Sequence, residues 1–216
     1  MTRVLLISGS TRDGSLHTAA LRTAARHAAQ GITADLYDGL AALPAFVPGE
    51  PNPPSAVTDL RNRVTRADAL LVSTPEYAGS LPGSLKNLLD WLVDGGELRG
   101  RAAAWLSVVG PGVDDGARTS LESVLEHGGA RLLRPACVRI PLDMATIDAE
   151  GLVADPRLHM ALGDMVAAMV RSLTERAERP QPSWQAHSSV YPVVQRQDAP
   201  SFPRGAQLPP WARGVN

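Results

Sequence analysis

The chain has 216 residues, of which 44% are hydrophobic and 20% charged, proportions that are typical of a globular protein. Its formal net charge of −1 gives no general attraction to nucleic acid or to an anionic membrane, so we expect neither as a partner. The single cysteine excludes an intrachain disulfide framework. No apolar run approaches the ~20 residues of a membrane span, and the first apolar run is too short for a signal peptide. We therefore expect a cytoplasmic protein.

Apolar runs alternate along the chain with segments of helical periodicity. The predicted elements are strand 4–8, helix 16–30, strand 33–37, helix 55–66 with Ser55 as its N-cap, strand 69–74, helix 82–93, strand 101–109, helix 117–127, strand 131–140 and helix 156–178. A loop rich in proline and glycine separates the second strand from the second helix. Five strands alternating with five helices predict a parallel sheet covered on both faces. Among the few topologies that right-handed crossovers allow, the leading one is the flavodoxin-like, doubly wound α/β fold with strand order 2-1-3-4-5.

The composition changes after Glu178. Residues 179–216 are dense in proline and polar residues, and proline at this frequency excludes a helix or a central strand. The segment also contains four aromatic residues, whereas disordered segments are usually poor in them. The sequence therefore predicts one domain, 1–178, followed by a proline-rich C-terminal arm or tail, 179–216. An arm that packs on its own domain or on a neighbouring subunit is favoured over a disordered tail.

Three loops rich in small residues follow the first, third and fourth predicted strands, at residues 9–15, 75–81 and 110–116. In an open parallel sheet, ligands bind beyond the carboxyl ends of the strands, where the strand order reverses. The three loops meet at that edge of the predicted sheet. We therefore expect the functional site there.

The first of these loops has the composition of a phosphate site. Gly9 and Gly14 allow sharp turns, Ser10 and Ser15 supply hydroxyl groups, and Arg12 supplies a guanidinium. The next helix points its free N–H groups and the positive end of its dipole at the same place. Because the loop lacks the lysine of a Walker A motif and the glycines of a dinucleotide fingerprint, a phosphomonoester is favoured over a triphosphate with magnesium. An ordinary turn in which a serine caps the helix is the alternative.

The second loop is suited to a flat ring. Pro75 and Pro82 stiffen its two ends, Gly79 and Ser80 leave its middle open to close approach, and Tyr77 can present a ring face or a hydroxyl.

Other chemistry-bearing residues are interpreted structurally. Lys86 and Asp90 lie four residues apart on one helix face and are expected to form an ion pair. Cys137, in the last predicted strand, is interpreted as a small buried hydrophobic residue. The histidines show no close metal-like spacing and the chain has no G-x-S-x-G sequence, so we expect neither a metal site nor a catalytic triad.

The first two loops resemble signatures of the NADPH-dependent FMN reductases, a flavodoxin-like group that includes quinone, azo-dye and chromate reductases. The first loop is similar to GSxRxxSxN, with His17 in place of the family's asparagine. The second is similar to PEYNGSxPGxLKNxxDW, with Ala78 in place of an asparagine. The matching positions are Gly9, Ser10, Arg12, Ser15, Pro75, Glu76, Tyr77, Gly79, Ser80, Pro82, Gly83, Leu85, Lys86, Asn87, Asp90 and Trp91. The resemblance covers about residues 3–173 and leaves the proline-rich segment outside.

This resemblance implies a flavoprotein that transfers hydride from NADPH or NADH through FMN to a small-molecule acceptor: a quinone, an azo compound, a metal ion or a flavin. The residues it implies for FMN binding are Ser10, Arg12, Ser15, Leu16, His17, Pro75, Glu76, Tyr77, Ala78, Gly79, Ser80 and Gly110. The flavin carries the chemistry, so no protein residue is assigned as catalytic. A homodimer or homotetramer is also implied.

Two other functions stay open at this point. The protein could be the component of a two-component monooxygenase that supplies reduced flavin, in which case FMN leaves as a product. It could also be a non-enzymatic FMN carrier of flavodoxin type. Such carriers usually have a markedly acidic surface for docking their partners, and a net charge of −1 disfavours that class.

Overall fold

The computed structural model describes residues 1–142 and 147–178. The strands and helices are β1 (Thr2–Ser8), α1 (Leu16–Arg26), β2 (Ile32–Tyr37), α2 (Ser55–Arg66), β3 (Ala69–Ser73), α3 (Gly83–Gly95), β4 (Ala102–Ser107), α4 (Asp115–His127), β5 (Arg131–Leu132), β6 (Val138–Arg139) and α5 (Pro156–Glu178). Short 3-10 helices cover Leu40–Ala42 and Arg134–Ala136. The predicted C-terminal arm, 179–216, lies outside the described residues. None of the described helices has the length and apolarity that crossing a membrane requires.

The sheet is parallel, with strand order β2-β1-β3-β4-β5, and β6 pairs with the far end of β4. This confirms the predicted flavodoxin-like topology. Strands β1 and β3 form its centre because they are nearly continuous apolar runs that are buried on both faces.

Alternate side chains of each central strand enter two separate cores. Leu5 and Ile7 of β1 pack on the side covered by α2, α3 and α4. Val4 and Leu6 pack on the opposite side, against α1 and α5. The two layers fix the carboxyl ends of β1, β3 and β4 next to one another, and the three loops leave the sheet there.

The last predicted strand, 131–140, is wrong as a single element. The structure has two strands of two residues each, separated by the 3-10 turn at Arg134–Ala136. Pro135 lies in that turn and has no N–H to donate to a sheet ladder. Cys137 follows the turn, outside both strands, and is half-buried rather than buried. Burial still raises the pKa of its thiol, which disfavours the reactive thiolate.

Several helix boundaries also differ from the prediction: α3 is Gly83–Gly95 instead of 82–93, and α4 begins at Asp115 instead of residue 117. Helix α1 ends at Arg26 instead of residue 30, because the chain must turn to enter β2, and Gly31 takes a φ of 87° in that turn. Ser55 is the first helical residue of α2 and not its N-cap, a position that Pro54 occupies without a side-chain capping bond.

The proline-rich loop after β2 is fixed to α3 by two side chains. The Asn87 amide accepts a hydrogen bond from Phe46 N (2.8 Å) and donates one to Pro44 O (2.9 Å). The Trp91 indole N–H donates to the same carbonyl (3.0 Å), and the Phe46 ring meets the indole edge-on, with the ring centres 5.1 Å apart. These contacts give Asn87 and Trp91, both part of the second signature, a structural role.

Candidate functional site

The first and second loops are packed directly together. Gly9 N donates to Ser73 O at 2.8 Å, at the end of β3. A Cβ atom on Gly9 would lie 2.2 Å from Thr74 Oγ1, so only glycine allows the two chains to approach this closely. The predicted meeting of these loops at one sheet edge is therefore confirmed.

The N-terminus of α1 offers unpaired donors to this edge. Ser15 is its N-cap residue, but its hydroxyl forms no capping bond. The N–H groups of Leu16, His17 and Thr18 consequently have no acceptor within the part of the chain that the structure describes. Three such N–H groups at the positive end of a helix dipole form a site that favours an anion.

Arg12 supplies an exposed positive charge in the loop that leads into this helix. Its side chain is exposed, and its guanidinium has no ion pair or hydrogen bond to any residue in the ranges 1–142 and 147–178. The loop that carries it is stabilised from within, because Ser10 Oγ accepts a hydrogen bond from Arg12 N (3.3 Å) and Ser8 Oγ accepts one from Ser10 N (3.3 Å). The loop is thus ordered while its charged group is left available.

His17 has its ring directed into the protein. The residue is buried, and its Nδ1 lies 3.0 Å from Ser73 Oγ. The Ser73 hydroxyl donates its one hydrogen to Leu106 O (2.7 Å), because a carbonyl can only accept. Ser73 Oγ must then accept from His17, which fixes the tautomer with the proton on Nδ1.

The charge state of His17 follows from the same burial. Desolvation lowers the pKa of His17 to about 4, although the Asp114 carboxylate acts in the opposite direction. The imidazole is neutral at pH 7 and brings no positive charge to the anion site. The predicted contact between His17 and a phosphate would therefore be made by the backbone N–H of His17, and it stays a prediction.

The second loop folds into a tight two-residue turn. Tyr77 and Ser80 exchange both backbone N–H···O bonds, each 3.0 Å long. Between them, Ala78 and Gly79 have φ values of 51° and 72°, the pattern of a type I′ turn. Ala78 is the one non-glycine residue in the described ranges with a positive φ. Asn-Gly is the favoured pair in such turns, which gives a physical reason for the asparagine in the signature that this loop resembles.

This turn also presents unpaired donors. The N–H groups of Ala78 and Gly79 have no partner among the described residues, and both residues are exposed. The Tyr77 side chain beside them is 55% exposed, and Val113, on the third loop, is 59% exposed. A polar edge with apolar surface next to it suits a flat heterocycle.

Some predicted site residues are occupied elsewhere. The Glu76 carboxylate accepts a hydrogen bond from Ala117 N (2.9 Å) in the first turn of α4, and Pro75 has no N–H to offer. The Ser80 hydroxyl pairs with Ser120 Oγ at 3.0 Å. The main chain of these residues can line the site. The side chains of Glu76 and Ser80 and the ring of Pro75 support the loop.

Gly110 lies at the start of the third loop, where its carbonyl accepts a hydrogen bond from Val113 N (3.3 Å). A Cβ atom at Gly110 would meet nothing within 4 Å, so this position borders open space. Behind the loop, the buried Asp114 carboxylate pairs with Arg139 Nη2 at 2.9 Å.

Two further features bear on the interpretation of the sequence. Lys86 Nζ lies 2.6 Å from Asp90 Oδ1, which confirms the predicted surface ion pair. Within residues 1–142 and 147–178, no three His, Cys, Asp or Glu side chains cluster in a way that could hold a metal ion. Sequence reasoning missed the support that α4 gives to the second loop, since Glu76 and Ala117 are 41 positions apart.

Comparison with known proteins gives consistent matches. The model of the NADPH-dependent FMN reductase family matches residues 2–143. An NAD(P)H-dependent FMN reductase of Pseudomonas aeruginosa is 42% identical over 92 residues, which are 41% of this chain and 49% of that protein. A quinone reductase of Escherichia coli is 33% identical over 93 residues, 42% of this chain and 50% of that protein. The match thus spans about half the length of these curated relatives.

A solved structure extends the likeness to most of the fold. The flavoenzyme NAD(P)H:(acceptor) oxidoreductase FerB of Paracoccus denitrificans has a TM-score of 0.66 and 26% identity, over 81% of this chain and 98% of that one. With the family model covering more than half of its residues, the chain belongs to the NADPH-dependent FMN reductase family.

Proposed function

We propose that the protein is a flavoprotein oxidoreductase that binds FMN at the carboxyl edge of its sheet and uses NADPH or NADH to reduce a small-molecule acceptor. The observation that carries the proposal is the exposed, unpaired Arg12 guanidinium beside the uncapped N-terminus of α1. Family membership and the names of the relatives support it.

The first loop and α1 would hold the phosphate. The N–H groups of Leu16 and His17 donate toward an anion at the helix N-terminus, where the dipole also favours negative charge. Arg12 adds a charge-assisted hydrogen bond, the stronger kind. The hydroxyls of Ser10 and Ser15 complete the set. A doubly charged monoester at the end of a ribityl chain matches these donors, and magnesium is not needed to balance its charge.

The second loop would hold the ring. The unpaired N–H groups of Ala78 and Gly79 would donate to the ring, and the Tyr77 side chain would border it. When bound, FMN supplies the hydride chemistry between the nicotinamide and the acceptor. Fixed backbone donors stabilise negative charge on a reduced ring without having to reorganise, and this is the contribution we assign to the turn.

The acceptor class is proposed from the relatives. Several are named quinone reductases, so we propose a quinone as acceptor and include azo compounds, metal ions and free flavin in the test. We also propose a homodimer or homotetramer. The exposed Tyr77 and Val113 side chains support it, because large exposed apolar side chains are candidates for a contact surface. Light scattering of the purified protein measures the mass directly.

The decisive experiment is a measurement of flavin content followed by turnover. We expect the purified protein to take up FMN and to oxidise NADPH or NADH when a quinone is added. Protein that takes up no FMN and oxidises neither nicotinamide contradicts the proposal. FMN that is reduced and then released would indicate the flavin-supplying function, and FMN that binds without nicotinamide oxidation would indicate a carrier.

A pair of variants tests the phosphate site itself. Arg12→Ala removes the proposed charge, while Arg26→Ala removes an exposed arginine at the other end of the same helix. Only the first change is expected to weaken FMN binding. Equal affinity of both variants, measured by fluorescence titration, would place the phosphate elsewhere.

A further inference from the structure

We infer that Glu76 is a positioning residue whose carboxylate caps helix α4 and thereby holds the flavin-facing turn 77–80 in place. The inference rests on the proposed FMN site and adds to it a residue whose side chain does not face the ligand. It is carried by three contacts between the turn and the first two turns of α4.

The first contact is the cap. Asp114 is the N-cap residue of α4, but its carboxylate forms no capping bond, because it is paired with Arg139. Glu76 Oε2 takes over this role from another loop by accepting the N–H of Ala117, the third helical residue, at 2.9 Å. An N-cap side chain usually bonds the second or third N–H of its own helix. The helix therefore depends on the second loop for a bond that most helices make locally.

The second contact is steric. A Cβ atom on Gly116 would lie 2.2 Å from Gly79 O and 3.0 Å from Glu76 Oε2. The carbonyl in the middle of the turn thus rests directly on the second residue of α4. Glycine at position 116 is required for this approach, and any side chain there would push the turn away from the helix.

The third contact lies on the other side of the turn, where Ser80 Oγ and Ser120 Oγ are 3.0 Å apart. The turn is consequently tied to α4 both before its two central residues, through Glu76, and after them, through Ser80. Its centre needs such ties, because Ala78 holds a positive φ that is unfavourable for a residue with a side chain. Without them, the unpaired N–H groups of Ala78 and Gly79 lose their fixed direction.

Two substitutions distinguish the positioning role of the Glu76 side chain from the effect of its negative charge. Glu76→Gln keeps an oxygen that can accept from Ala117 N but removes the negative charge. Glu76→Ala removes both. The comparison of the alanine variant with the glutamine variant therefore isolates the positioning role, since both proteins lack the charge. Glu126→Ala is the matched control, because Glu126 is an exposed α4 residue that pairs with Arg134 away from the turn.

We expect Glu76→Ala to weaken FMN binding by about 2- to 30-fold, the range that loss of an N-cap gives, whereas Glu76→Gln stays within about twofold of the wild type. The loss is larger for reduced FMN than for oxidised FMN, because the turn donors act on negative charge. If the affinity for reduced FMN falls tenfold more than the affinity for oxidised FMN, the midpoint potential of the alanine variant lies about 30 mV below that of the glutamine variant.

Hydrogen exchange of the flavin-free protein gives an independent measurement. The Ala117 amide is expected to exchange faster in Glu76→Ala than in the wild type, and Glu126→Ala is expected to leave it unchanged. Gly116→Ala is a second variant that displaces the turn while keeping Glu76, and it is expected to show the same potential shift as Glu76→Ala.

The outcomes distinguish the two proposals. If the wild type binds and reduces FMN but Glu76→Ala matches Glu76→Gln in affinity and potential, the positioning role is overturned and the proposed function stands. Loss of thermal stability without a change in affinity or potential also overturns it, because the cap would then be structural only. A wild type that takes up no FMN overturns both proposals.

Discussion

The buried His17 predicts a specific loss of stability in mild acid. In the unfolded chain this side chain takes up a proton near its ordinary pKa of 6.5, whereas burial keeps the folded form neutral down to a pKa of about 4. Between these two values the unfolded state binds more protons than the folded state, so the free energy of unfolding falls as the pH falls. Above about pH 7.5 the group has no further effect.

The size of the effect follows from the two pKa values. The difference between the pKa of His17 in the unfolded chain and in the folded protein corresponds to about 3 kcal/mol of unfolding free energy, at 1.36 kcal/mol for each pKa unit. Of this, about 2.5 kcal/mol is lost between pH 7.5 and pH 4.5, when the proton uptake of the folded and unfolded states is integrated over that interval. The hydrogen bond from Nδ1 to Ser73 does not depend on the charge, so burial alone sets the direction.

Urea unfolding at pH 7.5 and pH 4.5, at constant ionic strength, measures this loss. Other groups titrate over the same interval, so the wild type is compared with His17→Asn, which removes this titration and keeps a hydrogen-bonding side chain. We expect the wild type to lose about 2.5 kcal/mol more than the variant. An equal pH dependence of the two proteins refutes the buried, neutral imidazole. The nitrogen chemical shifts of the ring give a second test, since they report the proton on Nδ1 directly.

Three substitutions test other parts of the structure. Arg12→Ala is expected to weaken FMN binding by about 1.5–3 kcal/mol, as for a hydrogen bond to a charged group, whereas Arg26→Ala leaves the affinity unchanged; fluorescence titration of both variants decides. Ala78→Asn is expected to stabilise the protein by about 1 kcal/mol, because asparagine tolerates a positive φ better than alanine; a lower melting temperature contradicts the type I′ turn. Asn87→Ala is expected to cost about 1–3 kcal/mol for two lost hydrogen bonds, against about 0.5 kcal/mol or less for the exposed Lys86→Ala, with urea unfolding as the assay.

The parallel sheet could be predicted from the sequence because the residue pattern of its central strands is compatible with few other structures. The apolar runs of β1 and β3 are buried on both faces, and helical periods separate them, which is the pattern of a parallel sheet. The edge of the sheet was harder to predict. There Pro135 divides an apolar run into two short strands, and a run of this kind does not reveal which residues pair.

The small residues of the loops were enough to predict the sheet edge where the loops meet, but the directions of the side chains there could not be predicted. His17 stands where an asparagine is common in the family signature, and its ring is directed to Ser73. Glu76 belongs to the same motif as the turn 77–80, yet its carboxylate caps a helix that begins 39 residues later. Each of these contacts joins positions that lie far apart in the chain, so it depends on how the elements pack and not on local spacing.

The anchoring of the proline-rich loop by Asn87 and Trp91 has a practical consequence for protein engineering. The bonds to α3 hold the loop at Pro44 and Phe46, whereas Pro51 and Asn52 are exposed at a point past those anchors. Exposed loop tips of this kind accept inserted sequence with little effect on the surrounding fold. An affinity tag or a fluorophore attachment site can therefore be introduced between those two residues while the sheet and both of its helical layers stay intact.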